Sequence, residues 1–321
     1  MEPPPSLSVV IPVYNESEAV TPLHDQLVET LGQRGHDFEI VFVDDGSTDG
    51  TAAVLDGLFK TDRRLQVLHL RRNFGKAAAL SAGFGAARGE IIITMDGDLQ
   101  DLPEEIPRFL EKLDEGYDLV SGWKYPRRDP LRRRLASRCY NFVTRFSTGV
   151  HLHDINCGFK AYRREVITNL KLYGELHRYI PVLAFSQGFR VGEIKVTHRN
   201  RPFGKSKYGL WRFLSGFFDL VTILMLTRFS ARPLHVFGMI GFLATLLGGG
   251  ITMYLLVLRM FGTYLSNRPL FYFGLSILSV GIQMVFFGLL AEMIAHSRSA
   301  ETFYSIRRHL SHLPADPQER E

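Results

Sequence analysis

Two long apolar segments near the C-terminus constrain the fold of this chain more than any other feature. Residues 234–258 contain no Asp, Glu, Lys or Arg, and neither do residues 270–291. Each segment is long enough to cross a hydrocarbon layer roughly 30 Å thick as an α-helix. Because both are apolar on every side, they differ from the amphipathic helices that cover a soluble core. The sequence predicts two transmembrane helices, at 234–258 and 270–294.

Basic residues around these segments predict their orientation. Arginines flank the outer ends of the pair, whereas the short connector carries only two. The flanking residues are Arg228, Arg232, Arg298, Arg307 and Arg308. The N-terminus lacks the basic and apolar regions of a secretory signal. The positive-inside rule therefore predicts a multi-pass protein of the cytoplasmic membrane, with its N-terminal domain and both termini in the cytosol.

The first 208 residues alternate between predicted strands and helices. Apolar stretches predict strands at residues 8–13, 38–43, 65–70, 90–94, 117–122 and 190–198. The stretches between them predict helices at residues 18–31, 51–59, 76–88 and 103–115. This α/β alternation predicts a doubly wound, mostly parallel sheet.

The segment between the α/β domain and the apolar helices has a mixed character. Residues 209–232 combine aromatic and aliphatic side chains with a few charges, which is typical of a helix in the membrane interface; a core helix of the soluble domain is the alternative. The predicted domains are an α/β catalytic domain (1–208), a juxtamembrane amphipathic helix (209–232), two spans (233–296) and a cytosolic tail (297–321).

Polar motifs follow three of the predicted strands. They are Tyr14-Asn15-Glu16, Asp44-Asp45-Gly46-Ser47 and Asp96-Gly97-Asp98. Ligands of doubly wound sheets bind at the carboxyl ends of the strands, so we expect these motifs to lie together. The paired carboxylates of the third motif suit Mg²⁺ or Mn²⁺, although a surface turn has the same sequence. A cation there would neutralise a departing diphosphate, which indicates nucleotide-sugar chemistry.

Two basic stretches indicate anionic partners. Residues 124–138 contain seven Lys or Arg residues opposed only by Asp129, and a second stretch covers residues 195–212. With membrane spans in the same chain, lipid is favoured over nucleic acid as the partner. The two cysteines, Cys139 and Cys157, indicate neither a disulfide framework nor a zinc site.

The motifs together resemble family 2 glycosyltransferases of the GT-A fold. The matching segments are Val9–Glu16, Val43–Thr51, Arg72–Phe84, Met95–Glu104 and Asn156–Glu165. With the paired spans, the resemblance is strongest to the polyprenyl-phosphate glycosyltransferases, such as dolichyl-phosphate mannose synthase. The chain departs from many relatives at Gly97, where Ala is common, and at Leu102, where a second proline is common.

The resemblance implies a nucleotide-sugar site at the strand ends. Its predicted residues are Pro12, Tyr14, Glu16, Asp44, Asp45, Lys76 and Gln100. Either Asp44 or Asp45 would contact the nucleotide, and Lys76 would approach the diphosphate or remain an ordinary solvated lysine. Asp96 would contact the sugar and diphosphate, and Asp98 would be the leading ligand of Mg²⁺ or Mn²⁺, with Asp96 and Gln100 completing the metal set.

The resemblance also implies an acceptor site for a lipid phosphate. Such a phosphate is largely dianionic at neutral pH and needs positioning more than a general base. The residues predicted to hold it are Lys124, Arg127, Arg133, Ser137, Arg201, Lys205 and Lys207. Attraction to anionic headgroups is the alternative role for this cluster. Asp154 is the third predicted catalytic residue, as a base, an acceptor orienter or a sugar contact, unless it is a structural loop residue.

The predicted reaction is an inverting transfer of a hexose from a UDP- or GDP-sugar to undecaprenyl or dolichyl phosphate at the cytosolic membrane face. A processive polysaccharide synthase is disfavoured because no Gln-x-x-Arg-Trp motif is present. A transferase to a diacylglycerol or ceramide hydroxyl is also compatible with these motifs, as is a non-catalytic sugar-nucleotide or lipid-phosphate binding protein. Gly248, Gly249 and Gly250 permit a homo-oligomer, a helix bend or packing within the monomer.

Overall fold

The structure is a computed structural model, and it describes residues 5–125, 141, 143–168, 170, 176–197, 199, 221–225, 227, 233–262 and 269–297. Two compact units divide the chain, residues 1–228 and residues 229–321.

One seven-stranded sheet organises the first unit. Its strands are β1 (Leu7–Val13), β2 (Phe38–Asp44), β3 (Leu65–His69), β4 (Ile91–Thr94), β5 (Leu119–Lys124), β6 (Lys160–Arg163) and β7 (Val191–Val196). They are ordered β3-β2-β1-β4-β6-β5-β7, and only β6 is antiparallel to its neighbours. The predicted mostly parallel sheet is confirmed. Strand β6 was not predicted, because four residues within a polar motif show no clear period.

Helices cover both faces of this sheet. They are α1 (Ser17–Gly32), α2 (Thr51–Thr61), α3 (Lys76–Ala86), α4 (Ile106–Asp114), α5 (Arg164–Thr168) and α6 (Ile180–Ser186), with 3₁₀-helices at Pro103–Glu105 and Leu176–Tyr179. Helices α1, α2 and α4 contribute to one buried cluster, and α3, α5 and α6 to another. Gly83 lets α3 approach β1, since a Cβ there would lie 2.4 Å from Cγ1 of Val10. This places the first residue of α3 beside the carboxyl ends of the central strands.

Two long helices form the described part of the second unit, α7 (Pro233–Met260) and α8 (Pro269–Ser297). Both are long and apolar enough to cross a membrane, and only 17% of the most apolar stretch of each is buried, unlike a soluble core helix. They pack through glycines: a Cβ on Gly248 would lie 2.3 Å from the backbone nitrogen of Leu278. Gly248 is therefore used for packing within the monomer.

The predicted amphipathic helix lies largely outside the described residues. Of residues 209–232, the structure describes 221–225 and 227, and these are helical. The division into a catalytic domain, an interfacial helix, spans and a tail stays a prediction.

Candidate active site

The first two polar motifs are joined by direct hydrogen bonds. Asn15 follows β1 in the left-handed region, with φ of 55°, a conformation that Asn adopts more readily than most residues. Its backbone N–H donates to Oγ of Ser47 over 2.9 Å, and the N–H of Thr48 donates to Oδ1 of Asn15 over 2.8 Å. The turn after β2 is thereby fixed against the turn after β1.

Asp44 and Asp45 are both buried but have different partners. Asp44 accepts a hydrogen bond from the Ser47 N–H over 2.9 Å, and its other oxygen lies 2.9 Å from Nδ1 of His69. Asp45 accepts from the backbone N–H groups of Phe74 and Gly75, over 2.7 and 2.9 Å. Asp45 therefore fixes the loop that leads into α3, whereas Asp44 stays on the β3 side of the turn.

A cleft of about 640 Å³ opens beside Asp44. Most of the residues that line it have polar side chains: they are Tyr14, Asp44, Gly46, Ser47, Thr48, Ala52, Asp56, His69, Leu70, Arg71, Arg72 and Asn73. Gly46 is required here, since its φ is 69° and a Cβ would lie 2.4 Å from the carbonyl carbon of Arg72. Of the predicted nucleotide residues, Tyr14 and Asp44 line the cleft. Pro12, Glu16 and Asp45 are not among its lining residues.

His69 bridges two carboxylates at the edge of this cleft. Its Nδ1 lies 2.9 Å from Asp44 and its Nε2 lies 3.2 Å from Asp56. Burial alone lowers the pKa of His69, but the two carboxylates outweigh burial and raise that pKa above its ordinary value. Because an ionised carboxylate can only accept hydrogen bonds, both ring nitrogens can donate at once only when the ring is an imidazolium.

Asp96 follows β4 and forms an ion pair with Lys76, the first residue of α3. Burial would raise the pKa of Asp96, but the positive charges of Lys76 and Lys124 hold it well below the usual range. Gly158 leaves room for this carboxylate, since a Cβ there would lie 2.6 Å from Oδ1 of Asp96. Lys76 therefore lies at this end of the sheet, and its contact with a diphosphate stays a prediction.

Asp101 connects Asp96 to Lys124. It accepts a hydrogen bond from the Asp96 N–H over 3.2 Å, and its other oxygen lies 3.4 Å from Nζ of Lys124. Lys124, predicted to hold lipid phosphate, therefore lies next to the carboxylate motif. Asp101 is not among the predicted site residues, although it directly follows Gln100 in the carboxylate motif.

Asp98 and Gln100 lie in a tight turn. Leu99 between them has φ of 62°, and the Gln100 N–H donates to Asp98 over 3.2 Å. The side-chain amide of Gln100 donates to the backbone oxygen of Arg199 over 3.2 Å, and the backbone N–H of Arg199 donates to the backbone oxygen of Gln100 over 3.1 Å. Gln100 thus holds the segment at Arg199 beside the carboxylates, and only its amide oxygen is suited to a cation.

The donor set of Asp96 and Asp98 suits a hard cation such as Mg²⁺ or Mn²⁺. Among the described residues there is no group of three His, Cys, Asp or Glu side chains placed to hold a metal ion. Two carboxylates are enough to hold Mg²⁺ when substrate phosphates and waters supply the remaining oxygen ligands, which is common in Mg²⁺ sites.

The loop that carries Asp154 is fixed by Glu193 of β7. Glu193 accepts hydrogen bonds from the backbone N–H groups of His153 and Asp154, each over 2.9 Å. The His153 ring contacts the same carboxylate over 2.8 Å and stacks on Trp123, with ring centroids 4.1 Å apart. Asp154 itself is buried. Glu193 was missed because a Glu in a strand is usually a solvent-facing residue.

The other predicted acceptor residues lie outside the described part of the chain. They are Arg127, Arg133, Ser137, Arg201, Lys205 and Lys207. The described residues bring together Lys76, Asp96, Asp98 and Lys124, with Tyr14 and Asp44 at the neighbouring cleft.

Solved structures share the fold of the first unit. Glucosyl-3-phosphoglycerate synthase from Mycobacterium tuberculosis, crystallised with Mn²⁺, UDP and glucosyl-3-phosphoglycerate, aligns with a TM-score of 0.53 at 21% identity, over 70% of this chain and 80% of that chain. The same enzyme with Mg²⁺ and UDP aligns with a TM-score of 0.53 at 22% identity, over 70% and 79%. The fold is that of a GT-A-type glycosyltransferase.

Sequence comparison identifies the family. The model of glycosyl transferase family 2 matches residues 8–170. The chain is 39% identical over 302 residues to dodecaprenyl-phosphate galacturonate synthase from Rhizobium johnstonii, and the alignment covers 91% of this chain and 88% of that protein. It is 39% identical over 296 residues to undecaprenyl-phosphate 4-deoxy-4-formamido-L-arabinose transferase from Pseudomonas aeruginosa, over 91% and 86%. The chain belongs to glycosyl transferase family 2 and is a glycosyltransferase.

Proposed function

We propose that this glycosyltransferase moves a hexose from a UDP- or GDP-sugar to a polyprenyl phosphate, such as undecaprenyl or dolichyl phosphate. The choice of a polyprenyl phosphate as acceptor is supported by the 39% identity with a dodecaprenyl-phosphate galacturonate synthase across 91% of this chain. That alignment extends well beyond the family match at residues 8–170 and includes the region of the candidate spans.

The donor would lie across the strand ends, with its nucleotide in the cleft lined by Tyr14 and Asp44. Lys76 would meet the diphosphate, since it already faces this edge of the sheet in contact with Asp96. Asp98, with Asp96 and the amide oxygen of Gln100, would hold Mg²⁺ or Mn²⁺. A divalent cation bound there offsets the charge that develops on a departing diphosphate.

The acceptor phosphate is itself the nucleophile in this proposal. Since its second pKa is about 6, it is largely dianionic at pH 7 and is attracted to Lys124 and to the predicted basic residues outside the described part. In-line attack on the anomeric carbon forms the new C–O bond as the bond to the nucleotide diphosphate breaks, which inverts the anomeric configuration. Asp154, held through its backbone by Glu193, would orient the acceptor or a sugar hydroxyl.

The membrane arrangement is part of the same proposal. Helices α7 and α8 would both span the cytoplasmic membrane, with the first unit and both termini in the cytosol, as the flanking arginines favour. Nucleotide sugars would then reach the site from the cytosol, and a polyprenyl phosphate would reach it from the membrane.

A direct assay tests the reaction. Purified full-length protein in detergent would receive undecaprenyl or dolichyl phosphate, Mg²⁺ or Mn²⁺ and a panel of UDP- and GDP-sugars, and mass spectrometry would detect a lipid-phosphate hexose. Product formed with one donor and lost on adding EDTA supports the proposal. Nucleotide release without a lipid-phosphate sugar would contradict the acceptor assignment and favour a lipid hydroxyl.

A substitution at Asp98 tests the proposed metal site. Asp98→Ala should lower turnover by about a hundredfold or more, because charge stabilisation by a bound cation is worth several kcal/mol. The matched control is Asp114→Ala, an exposed residue at the end of α4 that should leave turnover unchanged. A well-folded Asp98→Ala protein with near wild-type turnover would refute the metal role.

A further inference from the structure

A row of buried polar side chains lies on one face of the sheet next to Asp96. Lys160 of β6 is directly opposite Thr94 of β4 on one side and Ser121 of β5 on the other, in antiparallel pairings. Directly opposed residues of an antiparallel pair share a face, so the three side chains form a row. All three are at most 3% exposed. The row continues the face that α3 covers, because Ile92, two residues before Thr94, packs with Leu80 of α3.

Two polar atoms near this row have no hydrogen-bond partner among the described residues. They are Oγ of Ser121 and Nδ1 of His177, and both atoms are buried. His177 lies on the 3₁₀-helix Leu176–Tyr179, which packs against α3. Burial, helped by the positive charges of Lys76, Arg178 and Lys160, lowers the pKa of His177 to about 3, so its ring is neutral. A buried polar group without a partner destabilises the fold, which favours a ligand that satisfies both atoms.

The ammonium of Lys160 also lacks a direct ionic partner among the described residues. Its Nζ donates to the backbone oxygen of Cys157, and the carboxylates of Asp154 and Asp96 act on its charge through space. Burial lowers the pKa of Lys160 to about 8, so the group is still mainly charged at pH 7. Because a buried charge is costly unless it is paired, an anion in direct contact with Nζ would be stabilised here.

We infer that Ser121, Lys160 and His177, here called the Lys160 pocket, bind an anionic oxygen of the donor substrate. This inference rests on the proposed function, because it takes the donor to be a nucleotide diphosphate sugar. The anion is either a carboxylate on the donor sugar or an oxygen of the diphosphate, and both would complete the ion pair in the same way.

The position of the pocket favours the donor as the source of this anion. Gly158, two residues before Lys160, lies directly against the Asp96 carboxylate, and the positive charge of Lys160 helps to lower the pKa of that carboxyl, so the Lys160 pocket adjoins Asp96. Lys76 lies at the outer side of Asp96 with about a third of its side chain exposed, whereas Lys160 is buried. The donor therefore meets two cations at different depths, and Lys160 is the inner one.

Binding measurements on the full-length protein in detergent with Mg²⁺ test the inference. Isothermal titration calorimetry would compare UDP, UDP-glucose and UDP-glucuronate on the wild type, Lys160→Met and the exposed control Lys60→Met. GDP, GDP-mannose and GDP-mannuronate would replace them if the wild type prefers guanosine. Lys160→Met should keep or raise the thermal midpoint, because it replaces a buried charge by an apolar chain of similar length.

The two candidate sources of the anion, a sugar carboxylate and the diphosphate, predict different changes in ligand affinity. If the pocket binds a sugar carboxylate, Lys160→Met weakens the uronate donor about tenfold or more and leaves the other two ligands within about twofold. If it binds the diphosphate, all three ligands weaken by a similar factor. Ser121→Ala should weaken the same ligands by a smaller factor, and it serves as the readout if Lys160→Met does not fold.

The Lys160 pocket and the proposed function are refuted by different results. Unchanged affinity of Lys160→Met and Ser121→Ala for all three ligands, with wild-type binding intact, would overturn the Lys160 pocket alone. A wild type that binds none of the uridine or guanosine ligands would overturn the proposed function and the pocket together.

Discussion

Gly158 is the position where a single methyl group should affect catalysis more than folding. A Cβ there would lie 2.6, 2.8 and 2.9 Å from Oδ1, Oδ2 and Cγ of Asp96, whereas Cβ contacts below 3.0 Å are essentially never found. The Asp96 carboxylate would have to move by roughly half an ångström. Since a misplacement of about 1 Å in a catalytic site can reduce turnover a hundredfold, Gly158→Ala should reduce kcat by roughly tenfold to a hundredfold.

The assay compares Gly158→Ala with a matched glycine substitution. Gly57 in α2 has no atom within 4 Å of a Cβ built on it, so Gly57→Ala should leave turnover unchanged and stabilise the helix by up to about 1 kcal/mol. Turnover would be followed as lipid-phosphate sugar formed per enzyme, and folding as the thermal midpoint. Wild-type kcat in Gly158→Ala would refute the reasoning, because Asp96 would then tolerate displacement or lie outside the reacting geometry.

Two further predictions concern the nucleotide side of the site. The pKa of His69 is above its ordinary 6.5, so its contacts stabilise the fold fully below about pH 6.5 and lose that effect as pH rises through the raised pKa. His69→Gln should flatten the dependence of the thermal midpoint on pH above 6.5, the exposed His151→Gln should not, and an unchanged slope in His69→Gln would contradict the assignment. Asp45→Asn should cost about 1.5–3 kcal/mol, or roughly 3–12 °C in Tm, because it weakens charge-assisted bonds to two backbone N–H groups. Asp114→Asn is its exposed control, and an equal Tm for Asp45→Asn and wild type would show that the loop does not depend on Asp45.

Most of the sheet, and the convergence of the polar motifs at its edge, could be predicted from the sequence. The strands are apolar runs that end in polar motifs, and the carboxyl ends of parallel strands meet at one edge. Strand β6 was missed because it is four residues long and lies within the motif at Asn156–Glu165. The long apolar helices were predicted within three residues of their ends, because composition alone defines them.

The parts of the site that escaped prediction depend on tertiary contacts. Nothing in the sequence separates Asp44 from Asp45, and the difference appears only in which loop each carboxylate meets. A lysine in a short polar motif is expected to be exposed, yet Lys160 is 2% exposed because β6 lies between two strands. Glu193 holds the Asp154 loop from 39 residues away, a pairing that no local pattern encodes.

The contacts of Asp45 connect the two halves of the site. Asp44 is the last residue of β2 and Asp45 follows it, and successive side chains of a strand point to opposite sides. Asp44 accordingly meets His69 at the cleft, whereas Asp45 binds the N–H of Gly75, the residue before Lys76. Since Lys76 is paired with Asp96, the hydrogen bond at Gly75 sets where that cation stands relative to the carboxylate motif. Under the proposed function, Asp45 would therefore act on the diphosphate contacts through the backbone of α3, and Asp44 would be the carboxylate of this pair that meets a nucleotide in the cleft.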